Sequence, residues 1–311
     1  MGDDLTTPVA AAMAGLGGLL VVATAGRLFV ARHRPDRDFV ELRRRVQSWW
    51  WMVGVLLAFL VWGITPTVAF LGFISFLALK EMLSIVPTRL ADRRMIFWAY
   101  GAIPVQYVLI HRGSAFGLAV FVPVVLFLFL PIRAVLIGET AGFVRSVTLV
   151  QWATLLTVFC LGHLAALLTM PPAVGDAGPI GLLLFVLFMT QANDVFQFLW
   201  GKSIGGPKIV PRISPGKTWS GFVGGAATTA VVAAAVGPWL TPMTASASFG
   251  VGALIAVVGF FGDCVMSAIK RDLGIKDSGQ LIPGHGGILD RLDSVMYTAP
   301  AFYYASVWMA R

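Results

Sequence analysis

The feature that most constrains this chain is a succession of long runs that contain no Asp, Glu, Lys or Arg. A helix of about 20 apolar residues crosses the hydrocarbon core of a bilayer. Runs of that order cover residues 5–26, 46–79, 95–110, 113–132, 147–170, 218–262 and 294–310, and 179–200 is interrupted only by Asp194. Two of these are too long for one crossing. Gly63-Ile64-Thr65-Pro66 divides the first, and Gly237-Pro238 is expected to divide the second, because Gly and Pro punctuate helices. The expected architecture is therefore all-α: a polytopic integral membrane protein of about ten transmembrane helices.

Composition agrees. The 311 residues are 58% hydrophobic and only 12% charged, against about a quarter charged in a soluble domain. The first run opens with Asp3 and Asp4 rather than a basic segment, and a basic block follows it, so it reads as a retained span and not a cleaved signal. Two cysteines, Cys160 and Cys264, lie in apolar runs with no Cys or His partner at metal-ligand spacing, and are expected to be buried thiols. The net charge of +8 does not indicate nucleic acid, because the cations lie between apolar spans rather than on a soluble face.

Their distribution is informative. When the connections are numbered alternately, one set holds 21 of the 23 Lys and Arg, leaving only Arg112 and Arg311 in the other. A wrong helix count would exchange the later connections and blur this split. By the positive-inside rule, both termini are expected outside and the polar loops 201–219 and 270–292 in the cytoplasm. The N-terminal part, 1–175, shows no chemistry and is expected to be a scaffold that also serves dimerisation. The catalytic region is expected in 176–311.

Three features of that region carry chemistry. Gln191-Ala192-Asn193-Asp194 gathers polar groups at the end of an apolar helix, where an ionisable residue is costly unless it is used. The loop from Gly201 to Gly221 holds four cations, several hydroxyls and repeated glycines, a composition suited to wrapping phosphates. Its Gly216-Lys217-Thr218 is not a P-loop, since Pro211 occupies the position of the first glycine. Such a loop could also do no more than enforce topology. The third feature is Gly262-Asp263 through Ser267, Lys270 and Arg271, followed by Gly286-Gly287 and Asp290-Arg291-Leu292-Asp293-Ser294. On a continuous helix Asp263, Ser267, Lys270 and Arg271 share one face, and Asp290, Asp293 and Ser294 share another. Carboxylates next to cations and a Gly-rich turn suit Mg²⁺ with a nucleoside triphosphate. A lone His285 is a poor Zn²⁺ site and reads as a phosphate donor or loop-shaping residue.

The segment Ser267-x-Ile269-Lys270-Arg271-x₄-Lys276-Asp277-x-Gly279-x₂-Ile282-Pro283-x-His285-Gly286-Gly287-Ile288-x-Asp290-Arg291-Leu292-Asp293 resembles the signature of the phosphatidate cytidylyltransferases along all of its 27 residues. Ser214-Pro215-x-Lys217-Thr218-Trp219 resembles a second motif of that family, with Ser220 where the family usually carries an acid. The resemblance covers about 185–300. It implies that CTP and phosphatidic acid react, with Mg²⁺ and room for a second cation, to give CDP-diacylglycerol and pyrophosphate. It also implies a homodimer in the inner membrane, in contact with membrane lipid, with its site open to the cytoplasm. On that basis Asp263, Lys270, Arg271 and Asp290 are expected to be catalytic. Asp263 and Asp290 are expected to hold the metal, with Asp293 and Asp194 beside them. Ser214, Lys217, Thr218, Ser267, His285, Gly286, Gly287 and Arg291 are expected to bind substrate, Arg291 being equally suited to a structural ion pair. Asp290→Asn is expected to abolish turnover in a folded protein. A CTP-dependent polyprenol kinase, an ion-coupled transporter and a degenerate, regulatory family member remain alternatives.

Overall fold

The structure, a computed structural model, describes residues 6–33, 40–170, 176–279 and 286–309. Ten long helices account for nearly all of them: α1 Thr7–His33, α2 Val40–Trp62, α3 Ile64–Ile85, α4 Arg93–His111, α5 Ala115–Val135, α6 Phe143–Leu168, α7 Gly178–Ile204, α8 Trp219–Leu240, α9 Ala245–Asp272 and α10 Leu289–Met309. Eight of the ten are long and apolar enough to cross a bilayer. The other two, α4 and α10, carry charge in their first turns: Arg93 and Arg94 in one, Asp290, Arg291 and Asp293 in the other. No strand occurs among the described residues. This is the all-α, membrane-spanning architecture expected from the runs. Every backbone bond is then satisfied within a segment, as hydrocarbon requires.

The expected break at Gly63 is present, with φ at 130° between α2 and α3. The other expected break is displaced. Gly237 and Pro238 lie inside α8, which continues to Leu240 and ends where the Thr241 N–H donates to the Gly237 carbonyl. Gly237 is needed for packing, not for a turn: a Cβ there would collide with Ser248 and crowd Phe185. Longer helices than expected also extend the polar ends, α1 to His33 and α9 to Asp272.

Hydrophobic burial does not drive helix association in lipid, so close packing and interhelical hydrogen bonds must hold the bundle. Both are visible around α7–α10. Gly221 and Gly225, a small-xxx-small pair in α8, lie so close to α7 that a Cβ at either would meet Gln197. Gly259 and Gly262 of α9 allow the same approach by α10. Thr190 of α7 bonds Thr298 of α10 at 2.9 Å, and the Asn193 Oδ1 accepts from Thr229 of α8 at 3.1 Å and from Gln197 at 3.2 Å. The most enclosed span is α6, at 72% buried, while α1 and α2 lie at the margin at 6% and 11%.

Hydrogen bonds join four of the five basic connections at one end of the bundle. Arg89, after α3, donates to the Ala141 carbonyl between α5 and α6, and Ser146 donates to Asp92 at 3.0 Å. Arg271, at the end of α9, donates to the Ile213 carbonyl of the α7–α8 loop at 3.4 Å. Glu81, in the last turns of α3, reaches the connection between α9 and α10. The charge asymmetry therefore corresponds to one contiguous polar face.

Candidate active site

The site is assembled on that face by the inner ends of α7, α9 and α10 and by the loop between α7 and α8. The loop folds back on itself. The Ile209 N–H donates to the Lys217 carbonyl at 3.1 Å, the Trp219 N–H donates to the Pro207 carbonyl at 3.1 Å, and Lys208 pairs with Thr218 in an antiparallel bridge. Ser214 forms the turn: its N–H donates to Val210 and its carbonyl accepts from the Lys217 N–H. Thr218 caps α8, its hydroxyl accepting from the Gly221 N–H at 3.1 Å. Thr218 is thus a helix cap, and the hairpin's product is the placement of Lys217.

Lys217 points into the bundle. Its Nζ lies 2.5 Å from Asp263 Oδ2 of α9, donates to Gln197 Oε1 of α7 at 3.4 Å, and sits 5.3 Å from the centre of the Phe260 ring. Burial works against its charge. The carboxylates of Asp263 and Asp194 more than offset that and hold its pKa above the ordinary lysine value, so the ammonium is charged at neutral pH. Asp263 also accepts from Ser267 one turn on, at 3.3 Å. Asp194 accepts from the Ser294 hydroxyl of α10 at 3.2 and 3.3 Å, and Asp293 accepts from the Ser294 N–H at 2.8 Å. Asp194, Asp263 and Asp293 lie within Coulombic range of one another. Three helices thus bring three carboxylates to one centre, and among the described residues only Lys217 pairs with it directly.

Beside this centre is a second cluster, in which Asp290 and Glu81 each accept from three donors. Lys270 donates to Asp290 Oδ1 at 2.7 Å, and the Ser278 and Gly287 N–H groups donate to Asp290 Oδ2, each at 2.9 Å. Gly286 takes the left-handed conformation, with φ at 78°, and a Cβ there would press on Asp290. Glu81 completes the cluster from α3. It accepts from the Ile288 N–H at 2.9 Å, the Leu289 N–H at 3.1 Å and the Ser278 hydroxyl. These are free N–H groups at the start of α10, where the helix dipole also favours an anion. A Cβ at Gly287 would occupy the space of the Glu81 carboxylate, and one at Gly279 would crowd it. Two glycines of the signature therefore admit a side chain from the other half of the molecule.

Of the expected site residues, Lys217, Ser267, Lys270, Asp290, Gly286, Gly287 and the aspartates converge here. Arg271 turns outward to the carbonyls of Ile213 and Ile275. Arg291 has a buried Nε with no partner among the described residues and is within Coulombic range of Asp194. His285 lies outside the described residues. Sequence reading missed Glu81 and Gln197. Glu81 follows Lys80 at the edge of a basic connection and resembles any solvated charge there. Its signal was its sign, an acid on the face where cations gather.

Among the described residues, no three carboxylate, His or Cys groups are drawn together tightly enough to chelate a metal alone. Mg²⁺ does not need that. It usually takes one or two carboxylates, with substrate phosphates and water completing an octahedron. A centre with three hard-oxygen donors and one directly paired cation fits a divalent ion that arrives with a nucleotide.

The cytidylyltransferase family profile matches residues 43–308. This chain belongs to the cytidylyltransferase family. Among individual relatives of this cytidylyltransferase, the uncharacterized protein YnbB of Escherichia coli is 41% identical over 295 residues, which is 94% of this chain and 96% of that protein. The phosphatidate cytidylyltransferase of Brucella abortus is 40% identical over 128 residues, 39% of this chain and 45% of that enzyme. That of Haemophilus influenzae is 38% identical over 129 residues, 40% and 44%. The chain spans less than half the length of those two enzymes.

Proposed function

We propose that this membrane cytidylyltransferase transfers the CMP moiety of CTP to phosphatidic acid, giving CDP-diacylglycerol and pyrophosphate. The carrying observation is the unsaturated three-aspartate centre with Lys217, at the polar end of a membrane bundle beside a signature that pairs Lys270 with Asp290. The acceptor is a phosphate monoester, largely dianionic at neutral pH because its second pKa is about 6. It needs little base catalysis. It must approach another anion, so positioning and charge neutralisation dominate.

The residues divide that work. One phosphate oxygen of the lipid attacks the α-phosphorus of CTP while the bond from that phosphorus to the pyrophosphate oxygen breaks. Lys217 and Arg291, whose Nε is unused, would offset charge on the incoming phosphates, and Ser267 and Ser294 offer hydroxyl donors. Mg²⁺, when bound, would offset charge on the CTP phosphates and on the departing pyrophosphate. Asp263 with Asp194 and Asp293 suits it best. Asp290 becomes a ligand only if Lys270 releases it, since both its oxygens already accept hydrogen bonds. The reading also puts the basic face in the cytoplasm, the chain in the cytoplasmic membrane and both termini outside. The exposed margins of α1 and α2 suit lipid or a second copy in a homodimer.

The test is turnover in mixed micelles with Mg²⁺, labelled CTP and phosphatidic acid, with a polyprenol as parallel acceptor. Chloroform-soluble cytidine label together with pyrophosphate is expected. CDP formed only with polyprenol would make the protein a lipid kinase, and the reading would fail.

A further inference from the structure

At the same end of the bundle, but built from the N-terminal helices, three arginines line one open cavity. Arg93 and Arg94 begin α4, Arg133 is near the end of α5, and Phe97 and Trp98 complete a wall around about 350 Å³. That volume falls in the range of ordinary small-molecule sites. None of the three guanidinium groups pairs with a carboxylate among the described residues. Asp92, the acid next in sequence, is engaged by Arg89 and Ser146, and the Arg133 Nε is buried without a hydrogen-bond partner. Three cations gathered without a counter-ion repel one another unless an anion joins them.

The apolar surroundings suggest which anion. Phe97 is 69% exposed and Trp98 42%, with the Trp98 ring edge-on to Phe129 at 5.1 Å. Leu128 and Ile132 of the neighbouring α5 are exposed as well. Exposed aromatic rings beside guanidinium groups that lack a carboxylate partner, at the polar end of a membrane bundle, suit a phospholipid headgroup at the interface. Nothing in this cavity is shared with the aspartate centre.

We propose that Arg93, Arg94 and Arg133 form a binding site for the phosphate-bearing headgroup of an anionic phospholipid, with its apolar part against the exposed rings of Phe97 and Trp98. The site is separate from the reaction centre and independent of which reaction that centre performs. A lipid phosphate and free inorganic phosphate would present the same oxygens to the guanidinium fork. The apolar wall is what selects the lipid.

The experiment is native mass spectrometry of the purified full chain titrated with phosphatidylglycerol, phosphatidylcholine or inorganic phosphate. The wild type is expected to retain phosphatidylglycerol preferentially. Arg93→Gln/Arg94→Gln/Arg133→Gln is expected to bind it on the order of a hundredfold more weakly. The matching triple Lys variant, which keeps the charge, should recover most of the binding, and an unchanged melting temperature would show that both variants are folded. Equal retention of phosphatidylcholine, binding of inorganic phosphate without lipid, or undiminished lipid binding by the folded Gln variant would each overturn the proposal.

Discussion

Two clusters of acids lie side by side on the polar face, and they are finished differently. Around the start of α10, Glu81 and Asp290 each accept from three donors, mostly backbone N–H groups. Where α7, α9 and α10 meet, among the described residues Asp194 has only the Ser294 hydroxyl and Asp293 only an adjacent N–H, while Asp263 holds Lys217 and a long contact from Ser267. An ionised carboxylate offers about four acceptor sites. The first cluster has little capacity left and acts on the shape of the chain. The second retains capacity for a ligand. Both places are built from carboxylates, so the division of labour lies in how many donors each acid already has.

The sharpest way to break this contrast is Asp263→Asn. Turnover is expected to fall by at least about a hundredfold, as when one preorganised electrostatic group is removed, with a smaller loss of melting temperature than Asp290→Asn gives, because Asp194 remains to offset the Lys217 charge. Normal activity in the folded variant would remove Asp263 from the reaction centre. Asp290→Asn should behave differently. It leaves the Lys270 ammonium facing an amide, so it should lose about 3 kcal/mol of stability as well as turnover, read by paired melting and activity measurements. This departs from the fold-neutral loss expected from sequence, because Asp290 holds two backbone segments in addition to Lys270. A variant that is inactive but fully stable would merge the two clusters.

Smaller effects sharpen the same line. Glu81→Gln weakens the anchoring of α10 and should cost about 1–2 kcal/mol and about tenfold in kcat/KM. Gly287→Ala should reproduce it by displacing the carboxylate, and the double variant should be little worse than either alone, since contacting sites are not additive. Full additivity would deny the contact. The smallest change is Ser220→Glu, which installs the acid usual in the family. It removes the hydroxyl's hydrogen bond to the Gly205 carbonyl, so about 1 kcal/mol of stability should be lost with turnover nearly kept. A gain in activity would show that Ser220 limits the reaction.

What was legible in the sequence follows from the range of each interaction. Spans could be read because hydropathy is a local property, and Gly63 broke its run as expected because its backbone turns there. Gly237 misled because its lack of a side chain serves Ser248 and Phe185, contacts that local pattern does not reveal. The aspartates and lysines of the signature were visible as faces of single helices. Their partition into saturated and unsaturated sets was not, because the deciding donors come from elsewhere: Lys217 meets Asp263 across a folded loop, and Glu81 meets Ser278 across 197 positions. No periodicity links residues that far apart.

The reach of Glu81 also orders the making of the protein. Chains enter the membrane from the N-terminus, so α3 is in place while α4 through α9 are still to be threaded. Throughout that interval its carboxylate has no backbone N–H of α10 to hold. When α10 arrives it finds an anchor installed long before it, and the connection between α9 and α10 can take its shape only then. A ribosome stalled one helix before it would leave a bundle that looks nearly complete but lacks both the Glu81 contacts and the third aspartate of the open centre.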